Sequence, residues 1–197
     1  MTQRRTRLDS TAVLHGAQLV LDEKGLDGFT TRALAGHLQV QQPALYWHFR
    51  TKGELLAALA EDVLAREHHG SLPEPGEKWD AFLQRNARSF RSALHAVRDG
   101  ARLHAEHHRR PGDTIDESSD DAPGRQVALL VSQGFDEGTA VSALVAISRY
   151  TVGVVLEEQA DSRRRDRDPE NDRRFEFGLS ALIAGISAHL QASPRAA

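Results

Sequence analysis

Asn86 and Phe90 stand four residues apart in a stretch where Trp79, Phe82, Leu83, Phe90 and Leu94 recur at helical spacing. An amide and an aromatic ring therefore share one helix face. That pair suits a flat, oxygen-rich ligand, with a ring to stack on and an amide to bond. A second group, Gln42, Pro43, Ala44, Tyr46, Trp47 and His48, has the chemistry to read base edges. A glutamine amide can pair with adenine, and an alanine or proline side chain can meet a thymine methyl. Arg32 can reach a guanine. Thr31, Tyr46, His48 and Lys52 suit phosphates, which fix register without reading sequence. Trp47 can either pack inward or face DNA. His68, His69, His104, His107 and His108 raise a zinc reading, since zinc favours imidazole, but their spacing matches no known zinc pattern. No nucleophile–base pair and no phosphate loop is present, so an enzyme is not expected.

These residues need elements to hold them. Residues 30–52, TTRALAGHLQVQQPALYWHFRTK, lay out a short helix capped by Thr30, a tight turn, a second short helix entered through Pro43, and a basic exit. That is the layout of a helix-turn-helix. A helix over 8–24 precedes it, capped by Asp9 or Ser10 and stopped by Gly25. Thr51 and Glu54 form a capping box that opens a long helix over 52–69. Leu34, Leu38, Val40 and Leu45 are the core candidates of the helix-turn-helix module.

The later chain also reads as helix. A loop at 71–76 leads to a helix from about Lys78, broken by Arg98-Asp99-Gly100 and followed by a short helix over 101–105. Residues 106–124 read as a polar connection, 125–133 as a helix, and Asp136 as the cap of a long apolar helix. The run RRRDRDPENDRR reads as a solvated loop, with the last helix starting near Asp172. On that helix Gly178, Ala181, Gly185 and Ala188 form a stripe of small residues, which lets another helix approach closely. The helices over about 137–160 and 172–191 are thus read as a dimer interface. The alternative is an ordinary buried core helix.

Composition limits the classes available. With 40% hydrophobic and 27% charged residues the chain has a globular balance, and no run of ~20 apolar residues predicts a membrane span. The absence of cysteine excludes disulfides and thiolate chemistry, and a cytoplasmic, membrane-free protein is expected. Residues 1–52 carry seven Lys and Arg against four Asp and Glu, so the remainder of a chain at −3 carries about −6. A positive tip on a negative body suits a protein that meets phosphate with one end.

TTRALAGHL, QQPALYWHF, WDAFLQRNARSFRSAL, RDGARLH, QGF and TVGVVLEEQ together resemble the tetracycline repressor family of bacterial transcription regulators. The resemblance spans nearly the whole chain and is strongest with the group built around the tetracycline repressor. It implies an all-α homodimer: a DNA-binding domain over 1–51, and an effector-binding and dimerisation domain over 52–197. It implies a repressor released from palindromic operator DNA by a tetracycline-like small molecule entering as a magnesium chelate. The matching effector positions are His68, Asn86, Phe90, His104, Gln126 and Glu157. His104 would ligate the metal, and Glu157 of the other subunit would act through a metal-bound water. Gln39 stands where the family places glycine, Gln41 and Ala44 where it has glutamate and threonine, and Arg149 and Tyr150 where it has histidine and phenylalanine. The segment after His104 is longer than the family's. These departures leave open a different operator, and an effector that is another aromatic polyketide or a metabolite bound without metal.

Overall fold

The computed structural model describes residues 8–107, 122–160 and 168–192, which are helical and contain no strand. His108 and most of the polar connection lie outside them. Helix α1 (Ser10–Gly28) starts at Asp9, whose carboxylate accepts from the Ala12 amide at 2.8 Å. Gly25 has φ of 70°, so the expected stop becomes a kink with one further turn. Helix α2 (Thr31–His37) is capped by the Thr30 hydroxyl, which accepts from Ala33 N at 3.1 Å. Gln39 turns the chain with φ of 54°, a left-handed conformation costing a non-glycine residue about 1 kcal/mol.

The second helix of the expected helix-turn-helix is a 3-10 helix, Gln42–Trp47. Gln41 before it is extended and gives no side-chain cap. The six residues close with tighter bonds such as Ala44 N to Gln41 O at 2.9 Å. Helix α3 (Lys52–Glu67) carries the expected cap: Thr51 Oγ1 accepts from Glu54 N at 3.0 Å. The Glu54 carboxylate reaches past the cap to accept from Arg50 N at 2.8 Å.

Helices α4 (Trp79–His95), α5 (Gly100–His107), α6 (Ala122–Ser132), α7 (Glu137–Ala160) and α8 (Pro169–Ala192) follow. Helix α8 begins before Asp172: Asp168 accepts from Glu170 N at 2.9 Å and Pro169 takes the first position. Part of the charged run expected as loop is therefore helix. Arg173 and Arg174 reach back to Glu170 at 2.5 and 3.2 Å, pairs that support a helix rather than a loop.

Two main cores result. The first joins α1, α2 and the 3-10 helix to Leu55, Leu56, Leu59 and Val63 of α3, and takes in Val97 and Leu103 from beyond α4. The second joins α4, α6, α7 and α8 around Phe82, Phe135, Ile147, Phe175 and Leu179. A small third cluster, Phe90, Leu94, Ala101 and Val155, takes Leu64 of α3 against it. Helix α3 thus belongs to both halves. Helix α7 is long and apolar enough to cross a membrane by length and composition, which the sequence reading did not anticipate. Yet Arg149 sits in its middle, and its apolar window is only 28% buried. Much of its apolar surface is left uncovered by its own chain.

Candidate functional site

Four of the expected effector residues come together where α3 ends. After His68 the chain crosses α4 at Gly70, where a Cβ would lie 2.7 Å from Ser89 Cβ and 3.0 Å from the Arg85 carbonyl. Only glycine fits so close a crossing. The crossing sets the His68 ring 5.3 Å from Phe90, and Phe90 meets the His104 ring edge-on at 5.0 Å. His68 Nε2 lies 3.3 Å from the Asn86 carbonyl, and Asn86 Nδ2 donates to the Gly70 carbonyl at 3.4 Å. A carbonyl only accepts, so Nε2 carries the His68 proton and Nδ1 is left as an acceptor. Asn86 and Phe90 are both buried.

Burial holds the His68 imidazole below its ordinary value, with the Asn86 carbonyl pulling the other way. The unfolded chain therefore takes up a proton before the folded protein does. His68's contribution to stability is intact above the unfolded value of about 6.5, and declines as pH falls from there through the lowered folded value. The stability of wild type relative to His68→Gln should fall between about pH 7.5 and 5.5 in urea melts. A difference that stays constant over that range would contradict a neutral, half-buried His68.

Gln126 and Glu157 stand apart from the four. Gln126 Nε2 donates to the Ser71 carbonyl at 2.7 Å, at the edge of the loop beyond Gly70. Glu157 is exposed on α7 and lines a cavity of about 300 Å³ with Tyr150, Val154, Asn171 and Arg174. The described residues hold no group of three or more His, Cys, Asp or Glu able to bind a metal. A magnesium ion at His104 would need oxygens from elsewhere, which fits a chelating effector better than a resident ion.

The structure adds residues that no local pattern signals. Gln159 of α7 bridges the α4–α5 corner: it donates to the Leu94 and Val97 carbonyls at 3.0 and 3.2 Å and accepts from Ala101 N at 3.0 Å. At the same corner Asp99, in the left-handed region, accepts from Leu26 N at 2.7 Å. Arg98 N donates to Asp22 at 2.9 Å, and Arg102 pairs with Asp27 at 2.7 Å. Helix α5 is thereby clasped to the end of α1. Arg91 is buried beneath α7 and α8, bonded to Glu158 and Asp172.

On the DNA-reading side, Trp47 is 89% exposed, which settles its two readings against inward packing. Tyr46 and Arg32 are exposed, and Gln42, Ala44 and His48 half-buried, while Leu34 and Leu45 are core. Lys52 Nζ donates to the Phe29 carbonyl at 2.7 Å, and His48 Nδ1 lies 3.4 Å from Ser10 Oγ. Of the expected dimer seam, Ala181, Gly185 and Ala188 are exposed. Gly178 lies against Tyr150: a Cβ there would clash with the Tyr150 hydroxyl, so Gly178 makes room for α7 of its own chain.

Residues 13–59 match the family "Bacterial regulatory proteins, tetR family", and residues 72–171 match "Tetracyclin repressor-like, C-terminal domain". The chain is 49% identical to the tetracycline repressor protein class A from transposon 1721 of Escherichia coli, over 98% of this chain and 86% of that protein. It superposes on a TetR variant from Acinetobacter baumannii AYE in complex with minocycline with a TM-score of 0.83, at 46% identity, covering 93% of this chain and 99% of the other. A class A TetR in complex with 5a,6-anhydrotetracycline and magnesium gives 0.77 at 44% identity, over 92% and 99%. Fold, both family matches and this identity agree: the chain belongs to the tetracycline repressor family of bacterial regulatory proteins.

Proposed function

We propose that this ligand-responsive transcriptional repressor binds a palindromic operator as a homodimer and is released by a tetracycline-like effector held as a magnesium chelate. The observation that carries the reading is the His68–Asn86–Phe90–His104 cluster, placed where α3 ends. The related structures with minocycline and with anhydrotetracycline and magnesium support it. The boundary between the DNA-binding and effector domains falls at 51/52, where α3 leaves the reading face.

The coupling follows from the packing. Leu103 is buried in the core of the DNA-binding half, and the next residue, His104, faces Phe90. An effector that moves the end of α5 therefore moves a residue embedded beside α1 and α3. Leu64 links the Phe90 cluster to α3 directly. A tilt of α3 changes the separation of the two reading helices, which must span half-sites ~34–36 Å apart. A difference of a few kcal/mol in effector affinity between the two arrangements is enough for a switch. Magnesium, bound with the effector, would supply a positive anchor for adjacent effector oxygens. His104 would hold it, and Glu157 of the other subunit would accept from its water.

Two copies would meet through α7 and α8. Gly138, Ala143, Ala146, Ala181 and Gly185 line an open apolar groove of about 630 Å³ there, and among the described residues nothing lies within 4 Å of a Cβ on Gly185. Gly185→Leu has room within its own chain, so its fold should survive while dimer affinity drops at least tenfold, about 1.4 kcal/mol, by sedimentation. An unchanged dimer would remove the small-residue groove from the interface. For the effector, calorimetry of the full chain with tetracycline should show binding that strengthens with magnesium. Equal binding with and without the ion favours the metal-free alternative, and no binding in either condition rejects tetracycline.

A further inference from the structure

One side chain of α7 closes the end of α4 and the start of α5 together. Gln159 Nε2 donates to the Leu94 and Val97 carbonyls at 3.0 and 3.2 Å, and Gln159 Oε1 accepts from Ala101 N at 3.0 Å. Carbonyls only accept and a backbone N–H only donates, so these partners fix which end of the amide is nitrogen. The Leu94 carbonyl and the Ala101 amide are among the groups that helix ends leave without an intrahelical partner. The two helices are crowded at this corner: a Cβ on Gly100 would clash with the Leu94 carbonyl.

The corner lies between two rings of the effector cluster. Phe90 is one turn before Leu94 on α4, and His104 is one turn after Ala101 on α5. Phe90, Leu94, Ala101 and Val155 pack as one apolar cluster, and Val155 lies one turn before Gln159 on α7. Apolar burial holds the three helices together but has no direction. The bonds of Gln159 do have direction, and they fix how α5 leaves the corner.

We propose that Gln159 is a positioning residue for effector binding. It sets the place of the His104 imidazole relative to Phe90 and Asn86 without needing to touch the effector. The inference rests on the magnesium-chelate reading proposed above and deepens it. A metal ligand must be held within about 0.5 Å of its productive position. Apolar contact with Phe90 is non-directional and tolerates a shift of that size. Loss of the Gln159 bonds therefore weakens the part of effector binding that runs through the metal and spares the rest.

The experiment is calorimetry of the full-length protein with tetracycline, with and without magnesium. It is run on wild type, Gln159→Met, Gln159→Glu, His104→Ala and the Gln159→Met/His104→Ala double variant. Methionine keeps the length of the side chain and none of its three bonds. Glutamate keeps the acceptor for Ala101 N but sets a carboxylate oxygen against the two carbonyls. In both Gln159 variants the gain in affinity from magnesium should shrink at least about tenfold, while metal-free affinity changes less than about threefold. In the His104→Ala background, Gln159→Met should change affinity in magnesium by less than about twofold, because the two residues act through one ligand.

An unchanged magnesium gain in Gln159→Met would overturn the proposal. So would an equal loss in both conditions in Gln159→Met and Gln159→Glu alike, which would leave Gln159 as a structural cap only. A full further loss on adding Gln159→Met to His104→Ala would overturn the route through His104. A wild type that gains nothing from magnesium would overturn the chelate reading itself, an outcome read from wild type alone and so distinct from the others.

Discussion

Replacing Arg91 with alanine is expected to destabilise the protein by about 3–5 kcal/mol, the cost of leaving a buried charge without its partner. The Arg91 side chain is 6% exposed and that of Glu158 9%. Two bonds join them, at 2.7 and 3.3 Å. A third runs from Arg91 to Asp172 at 2.5 Å, and the guanidinium lies 4.7 Å from the Phe175 ring centre. His95 Nε2 sits 2.7 Å from the same Glu158 carboxylate and is the hydrogen-bond partner that would remain to it among the described residues. The cost comes from the stranded carboxylate more than from the lost pair. Adding Glu158→Gln should therefore recover at least about 1 kcal/mol. Urea unfolding measures both, at one fixed protein concentration so that the proposed association contributes equally to each variant. A cost for Arg91→Ala that is the same in the Glu158→Gln background would contradict this account. The cluster joins α4, which carries Asn86 and Phe90, to the two helices proposed for the dimer.

His104→Ala is expected to weaken effector binding about 100-fold in the presence of magnesium, a loss of about 2.7 kcal/mol. Without magnesium the loss should be much smaller, because the remaining role of the ring is its edge contact with Phe90. Asn86→Ala should weaken binding about tenfold in both conditions, since it removes a hydrogen-bonding group rather than a metal ligand. Calorimetry with tetracycline, with and without magnesium, separates the two. Equal losses for His104→Ala in both conditions would remove the metal role from His104. Operator binding without effector should be unchanged in both variants, because neither residue belongs to the reading face.

Local signals in the sequence located most elements. Asp9, Thr30, Thr51 and Asp136 each cap the helix that follows, because an N-cap needs only a short polar side chain and the amide three residues on. Boundaries set by weaker or competing signals shifted. Gly25 kinks α1 without ending it, and the charged run before Phe175 forms helical ion pairs. The reading segment is 3-10 because Pro43 marks a helix start without fixing its hydrogen-bond pattern. Asn86 and Phe90 were visible as one face of one helix. His68 reaches them because Gly70 lets the chain cross α4, and His104 because α5 turns back at the corner held by Gln159; the assignment of both came from the family resemblance. Arg91, Glu158 and Gln159 lie in segments that resemble the family, but no local pattern signals their roles. Their partners lie 58 to 81 residues away, beyond any local period. The small-residue stripe on α8 was legible as a pattern but mixed two environments. Gly178 accommodates Tyr150 of its own chain, while Gly185 opens outward.

The most direct test of the central claim is release of operator DNA by effector. A labelled duplex carrying an inverted repeat, selected by the full-length protein from a randomised library, is titrated with that protein, and the complex is followed by fluorescence anisotropy. Saturating tetracycline with magnesium should weaken operator binding by at least about 100-fold, the scale of a switch of a few kcal/mol. Operator affinity unchanged at an effector concentration that calorimetry shows to be saturating would contradict the account.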